Sequence, residues 1–337
     1  MTNKSQKLTV IHFPSQPHFF SYGGFDIQMN RVIEMTNSEH ITAKRVDLWS
    51  KKEVFEIAHF WGASNSNKLN IIFCKENGIK VIISGLFVQK SLTTKYKIKI
   101  WKFINRFTRN ESVIYDADII TVINDAQAEV IEEYYGYPKK QIRIIPTILD
   151  DYLYVKPTSF FEKENFVLCV GTICSRKNQI KLALATIELG VKCVFVGRFD
   201  SREQGYKEQF LSLQDFNKGL IEHYIDISIV ELCALYEKCC VVSCISQVET
   251  EPASILEGMH FKKAIIASNL PFAKIKKFSG IILCNQNKNK SIKEALKRAL
   301  KNENNVDYNY FNSRDNSSKS VINLYNSLYQ ELDKTVN

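Results

Sequence analysis

The chain has 337 residues, 45% hydrophobic, 24% charged and 12% aromatic, enough apolar matter for two ordinary domains and incompatible with wholesale disorder. No apolar run approaches the ~18 residues of a spanning helix: Ser84 and Gly85 interrupt Val81–Val88, Ser243 interrupts Cys239–Ile245, and the polar start at Met1–Lys7 lacks the separate apolar region of a signal peptide. Lysine and arginine exceed aspartate and glutamate by 45 to 36, a net charge of +9, and the nine cysteines include no Cys-x-x-Cys pair, which points to buried reduced thiols in a cytosolic protein rather than a disulfide framework or a zinc ribbon.

In chain order, Leu8–Phe13 reads as a buried strand, followed by Gly23-Gly24 and a helical pattern through Met35. Ile41–Leu48, Phe55–Phe60 and Lys80–Ser84 read as strands with helical stretches between them, and Asp118–Val122 and Gln141–Ile145 close the first half. Leu149–Pro157 reads as a linker. The second half restarts at Phe166–Val170, with further strands at Val191–Val196, Lys238–Ile245, Ala264–Ala267 and Ile281–Leu283. Its helical patterns lie at Lys177–Leu189, Ser228–Glu237, Pro252–Phe261 and Ile292–Lys301. A last helical stretch, Ser317–Leu332, sets Ile322, Tyr325, Leu328, Tyr329 and Leu332 on one face. Continuous apolar strands separated by helices imply parallel sheets covered on both faces. The expected architecture is α/β, with two doubly wound, Rossmann-like domains facing across a cleft, 1–150 and 151–314, and the C-terminal helix 315–337 packing back on the first.

Neither Gly-x-Gly-x-x-Gly nor Gly-x-x-x-x-Gly-Lys-[Ser/Thr] occurs among the 13 glycines, so a bound phosphate needs other helix N-termini. Two segments offer one. Residues 170–178, Val-Gly-Thr-Ile-Cys-Ser-Arg-Lys-Asn, leave a strand, turn and open a helix with the cations Arg176 and Lys177 at its mouth. Residues 249–258, Glu-Thr-Glu-Pro-Ala-Ser-Ile-Leu-Glu-Gly, put Pro252 at the first helical position and leave the N–H groups of Ala253, Ser254 and Ile255 as donors. An anion there would lie between Glu249 and Glu257. Read alone, Glu249 and Glu251 are equally ordinary carboxylates at a helix N-terminus. Asp116-Ala117-Asp118 reads as the entry to a strand and the six histidines lack ligand spacing, so no metal is expected.

In combination these segments resemble a retaining glycosyltransferase of family 4, within the glycosyl transferases group 1, with the GT-B fold. Glu249 and Glu257 match the Glu-x7-Glu motif, followed by Gly258-Met259 and Lys263–Ser268. Gly171–Asn178 resembles the donor-phosphate loop and Val194–Gly197 the next strand and turn, with Arg198 beside it. The resemblance implies that Lys177 contacts a donor diphosphate, that the helix near Pro252 holds the distal phosphate, that Glu249 and the loop through Glu251 bind sugar hydroxyls, and that Glu257 binds the ribose. Gly23-Gly24 would be the N-terminal loop where backbone approaches donor and acceptor. Preorganised cations and amides there would stabilise charge growing on the departing phosphate oxygen without a metal cofactor. Three positions depart from the family. Thr172 stands where an arginine is usual, with Arg176 as a nearby substitute, and Pro146-Thr147-Ile148 replaces Pro-Asn-Gly. No histidine ends the fourth strand, which leaves His59, at the end of the preceding one, as the candidate for that sugar contact; a lone histidine in an apolar strand also reads as structural.

Lys90, Lys95, Lys97, Lys99, Lys102, Arg106 and Arg109 fall in one segment without an acid, interleaved with Tyr96, Ile100, Phe103, Ile104 and Phe107 at helical spacing. A stripe of Lys95, Lys99, Lys102 and Arg106 suits an anionic membrane surface, and equally a domain helix with a solvated basic edge. Nucleic acid is not expected, because no recognised binding module surrounds the patch. The sequence therefore predicts a cytoplasmic hexosyltransferase, peripheral on the inner face of the membrane, moving a sugar from a UDP- or GDP-linked donor to a glycan or lipid-linked acceptor in bacterial surface polysaccharide synthesis (lipopolysaccharide, O-antigen or capsule). The alternatives are a catalytically degenerate relative that binds and assembles, and a nucleotide-sugar epimerase of similar fold.

Overall fold

A computed structural model describes residues 7–16, 23–50, 53–87, 113–149, 164–308 and 318–334. The chain divides into two compact units, 1–148 with 314–337, and 149–313.

In the first unit, β1 (Leu8–Phe13), β2 (Ile41–Arg45), β3 (Ile57–Trp61), β4 (Lys80–Ser84), β5 (Ile119–Val122) and β6 (Ile142–Ile144) form a sheet in the order β2-β1-β3-β4-β5-β6, with every pairing parallel. Strands β3 and β5 are buried at every position, as a sheet covered on both faces requires. One face packs against α2 (Lys68–Glu76) and α3 (Asp125–Tyr135), through residues such as Ile71, Cys74, Val130 and Ile131. The other packs against α1 (Gly24–Thr36) and the C-terminal α9 (Ser318–Asp333), which buries Val321, Tyr325, Leu328, Tyr329 and Leu332. Full burial of side chains of this size contributes ~1.5–3 kcal/mol each, so α9 is held by its apolar face.

In the second unit, β7 (Phe166–Val170), β8 (Lys192–Val196), β9 (Ile221–Tyr224), β10 (Val241–Cys244), β11 (Ala264–Ser268) and β12 (Ile282–Cys284) form a parallel sheet in the order β12-β11-β10-β7-β8-β9. Helices α4 (Gln179–Glu188), α5 (Gln204–Phe216), α6 (Ile229–Lys238), α7 (Ala253–His260) and α8 (Asn289–Leu300) connect the strands and cover two separate apolar cores. Two of these elements carry no clear sequence signal. Strand β9 reads Ile-Glu-His-Tyr with only Ile221 buried, and α5 buries only Phe210 fully.

The order of this second sheet fixes a special place. The chain enters at the centre with β7, builds outward to β9, and returns to the other side of β7 with β10. The connections after β7 and β10 therefore run to opposite sides. Such a switch point, at the carboxyl ends of the strands, is where doubly wound sheets bind ligands.

Candidate functional site

The connection after β7 is held in shape by its own side chains. Gly171 has φ +141, a backbone state that L side chains rarely adopt. Gly197, after β8, presses against it: a Cβ on Gly197 would lie 2.3 Å from the Gly171 carbonyl oxygen. Beyond Gly171, Ser175–Lys177 make one 3₁₀ turn and Asn178 is left-handed at φ +64, which asparagine tolerates. The Asn178 Nδ2 donates to the carbonyls of Gln286 at 2.9 Å and Ile245 at 3.3 Å, tying the β7 connection to the segments that follow β12 and β10. Buried Gln179 donates to the Thr172 carbonyl at 2.8 Å and accepts from the Cys174 N–H at 3.3 Å.

The connection after β10 is docked on this frame. The Gln247 N–H donates to the Arg176 carbonyl at 2.7 Å, and the Arg176 guanidinium donates to the Val248 carbonyl at 3.1 Å. Side chains then converge. The Lys177 ammonium lies 2.5 Å from Glu249 Oε1 and the Arg176 guanidinium 3.2 Å from the same oxygen. Lys177 and Glu249 are 16% and 11% exposed, whereas Arg176 is 49% exposed. Two cations share one carboxylate, so the cluster carries an excess positive charge at a partly open position. Burial alone would push the Lys177 ammonium down, but Cys244 and the Glu249 carboxylate outweigh it and hold Lys177 above its ordinary value, so it is charged at neutral pH. Lys177 also runs alongside Gly171, where a Cβ would sit 3.5 Å from its Cε.

Helix α7 opens beside Glu249. It begins at Ala253, with Pro252 outside it as an extended N-cap at φ −70, ψ 120, one residue later than the sequence pattern predicts. The Pro252 carbonyl accepts from Ile255 N–H at 3.1 Å. This corrects the expectation for Ile255: its amide is engaged and its side chain is fully buried, which leaves Ala253 and Ser254 as the first amides of the helix. Gly258 is required by packing, since a Cβ there would meet Ile265 at 2.8 Å and Val242 at 2.9 Å. Glu257, one turn along, accepts from the Tyr236 hydroxyl at 2.5 Å and is 8% exposed.

Two expected site residues are placed elsewhere. Glu251 turns inward into a buried ion pair with Lys277, its side chain 0% exposed, and so does not face a sugar. His59 is also 0% exposed. Its ring nitrogens hydrogen-bond with the Tyr329 hydroxyl at 3.0 Å and the Ser84 hydroxyl at 2.7 Å, and burial followed by the neighbouring His12 pushes it well below its ordinary value. It is a neutral core histidine and not a catalytic one. Arg198 forms a bidentate, 75%-exposed pair with Asp226 at 2.5 and 2.8 Å. Gly23 and Gly24 belong to the first unit, at the N-cap and first residue of α1, and a Cβ on either would meet nothing within 4 Å. Lys95, Lys99, Lys102 and Arg106 lie outside the described residues. No group of three or more His, Cys, Asp or Glu among the described residues is placed to hold a metal, and no helix there is long and apolar enough to cross a membrane.

Sequence reasoning did not single out Tyr236, Lys277 or Gln179. Gln179 follows the Arg176–Asn178 turn directly, but Tyr236 and Lys277 stand 21 and 26 residues from their partners, and no local pattern links them.

Comparison with known proteins bears on these loops. Residues 153–316 match the family model of the glycosyl transferases group 1. The chain is 28% identical over 183 residues to a GalNAc-alpha-(1->4)-GalNAc-alpha-(1->3)-diNAcBac-PP-undecaprenol alpha-1,4-N-acetyl-D-galactosaminyltransferase of Campylobacter jejuni, covering 51% of this chain and 45% of that protein. Among solved structures, a glycosyltransferase from Rickettsia africae superposes with a TM-score of 0.71 at 14% identity, over 98% of this chain and 99% of that one. The Anabaena protein HepE, in complex with UDP and glucose, superposes with a TM-score of 0.67 at 14% identity, over 96% and 99%. Residues 153–316, almost all in the second unit, thus resemble the glycosyl transferases group 1, and the chain has the GT-B fold.

Proposed function

We propose that this protein transfers a hexosyl group from a nucleotide-diphosphate sugar, UDP- or GDP-linked, to a glycan or lipid-linked acceptor with retention of configuration, in bacterial surface polysaccharide synthesis. The observation that carries this reading is the meeting of Lys177, Arg176 and Glu249 at the switch point. A diphosphate there competes with Glu249 for the two cations. Once the cations turn to phosphate, the Glu249 carboxylate becomes an acceptor for sugar hydroxyls. Lys177, Arg176 and the first amides of α7 stabilise negative charge on the departing phosphate oxygen, more in the transition state than in the ground state. In a front-face displacement that oxygen takes the acceptor's hydroxyl proton as the new glycosidic bond forms. Glu257, which accepts from the Tyr236 hydroxyl, takes the ribose in this reading. These groups supply the charge that a metal would otherwise supply. The acceptor side falls to the first unit, and the basic segment around Lys95, Lys99, Lys102 and Arg106 is assigned to an anionic membrane surface.

The test is release of nucleoside diphosphate across a panel of nucleotide sugars and acceptors. Release that disappears in Glu249→Ala and Lys177→Ala supports transfer. Thr172, in place of the family's usual arginine, favours a second reading, a binding and assembly protein; nucleotide-sugar binding without turnover for any acceptor would establish that one instead. Cosedimentation with anionic vesicles tests the membrane assignment, which fails if neutralising the four cations leaves binding unchanged.

A further inference from the structure

The segment 249–252 carries two carboxylates two residues apart, and each has its own cation. Glu249 meets Lys177 and Arg176 at a position partly open to solvent. Glu251 meets Lys277, and both side chains are buried, 0% and 7% exposed. Lys277 belongs to a short 3₁₀ turn, Lys276–Phe278, between β11 and β12, and its ammonium also lies 5.2 Å from the Phe278 ring centroid. The segment is therefore clamped from two sides by charges of very different accessibility. The outer clamp is the one that a diphosphate would compete for. The inner clamp is out of reach of any such ligand.

We infer that Lys277 is a positioning residue: through the buried pair with Glu251 it holds the segment 249–252, and with it Glu249 and the mouth of α7, in place while the cations on Glu249 are drawn away by a nucleotide-sugar diphosphate. This inference rests on the function proposed above. It gives Glu251 an anchoring role and assigns the anchor to a residue that no local pattern marks. A charge pair suits this duty better than an apolar contact. Its attraction in a low-dielectric interior is strong and directional, and slippage would leave two buried charges uncompensated, which is far costlier than a lost van der Waals contact.

The test compares Lys277→Met, Lys277→Arg and the double variant Glu251→Leu/Lys277→Met. The double variant removes both charges, so it leaves no buried charge alone and keeps the fold and melting temperature close to wild type. Amide exchange across 246–252 should still accelerate about tenfold in it, as local opening loses its restraint. UDP affinity and the nucleotide-sugar KM should weaken about tenfold, with kcat changed less, because the donor must now order the loop. Lys277→Arg should recover most of the loss, as a purely space-filling role would not allow. Wild-type exchange, UDP affinity and KM in the double variant would overturn the inference. A wild-type protein that neither binds UDP nor turns over any nucleotide sugar would instead remove the proposed function, and the exchange arm would still decide whether Lys277 anchors the loop.

Discussion

The histidine cluster of the first unit and the Lys177–Arg176–Glu249 cluster of the second are built on opposite principles. In the first unit His12, His59, Trp61, Ser84, Thr121 and Tyr329 sit on central strands and α9. His12 Nδ1 accepts from the Trp61 indole at 2.9 Å, and His59 spans Ser84 and Tyr329. The two imidazole rings lie 4.9 Å apart, and both histidines are 0% exposed. The ring nitrogens are engaged inside the protein, and burial pushes His12 down to about 3. In the second unit the cluster is charged, stands on loops, and remains partly open, with one carboxylate shared between two cations. Closed, neutral and on strands describes a structural joint. Charged, shared and on loops describes a site where a ligand can still gain by binding.

The sharpest way to break this contrast is acid. The unfolded chain takes up protons on His12 and His59 near pH 6.5, whereas the folded first unit resists protonation of His12 until about pH 3. The stability that the neutral pair provides is therefore complete above pH 6.5 and is lost as the pH falls toward 3. For His12 alone, at ~1.4 kcal/mol per tenfold change, the full window amounts to about 5 kcal/mol. Among the described residues, the groups that hydrogen-bond or stack with the pair are hydroxyls and aromatic rings, Ser84, Trp61, Tyr325 and Tyr329, and none of these is a carboxylate that could compensate a new charge. Amide protection in α9, corrected for the slower intrinsic exchange in acid, should fall steeply between pH 6.5 and pH 3.5, before that of the β7 and β10 strands of the second unit. Unchanged α9 protection at pH 3.5 would mean that the cluster is not closed.

The second effect is chemical. Lys177→Ala should lower kcat/KM by roughly 10²–10³, about 2.7–4 kcal/mol of transition-state stabilisation, with a melting temperature close to wild type because Lys177 sits at a partly open rim. His59→Leu should do the reverse, lowering the melting temperature by several degrees while activity per folded molecule persists. Equal loss of activity in both variants would erase the distinction between joint and site.

The same contrast explains what the sequence displays and what it hides. Parallel sheets announce themselves through runs such as Phe166–Val170 and Ala264–Ser268, because strands buried on both faces must be apolar throughout. The Lys177, Glu249 and Glu257 positions are legible because their local frame is: a strand, a glycine turn and a helix mouth each leave marks within a few residues. His59 misleads because an imidazole at a strand end has the same letters whether it faces a ligand or a tyrosine from the other end of the chain; its partner Tyr329 lies 270 residues away. Glu251 misleads for the same reason, since its partner Lys277 is joined to it only by the fold. Strand β9 and helix α5 escape notice because they lie toward the sheet's edge, where half-burial permits glutamate and histidine among the apolar residues.

A smaller effect tests whether the frame of the site is as rigid as its hydrogen bonds suggest. Gly197→Ala puts a methyl group 2.3 Å from the Gly171 carbonyl oxygen, at a residue with φ +150. Backbone strain of this kind costs about 3 kcal/mol, and because the obstacle is the Gly171 turn, the displaced element is the one that carries Lys177. Loss of donor affinity should accompany the loss of stability. A stability loss with unchanged affinity would show that the β7 connection absorbs the shift without moving Lys177.

The smallest expected effect is the most discriminating for Glu257. Tyr236 is fully buried, stacked on Phe261 with ring centroids 5.3 Å apart, and its hydroxyl donates to Glu257 Oε2. Tyr236→Phe keeps the ring and its stacking and removes only that donor, so the cost in stability is that of one hydrogen bond to a charged group, about 1.5 kcal/mol. If Glu257 serves a ribose, the lost bond loosens the hold on its carboxylate. Binding of the nucleoside diphosphate should then weaken severalfold, while a 2′-deoxy donor, which lacks one of the hydroxyls in question, should lose less. Equal loss for ribose and deoxyribose forms would assign Glu257 to the packing of α7 against β10 and β11, and would move the ribose contact to another residue.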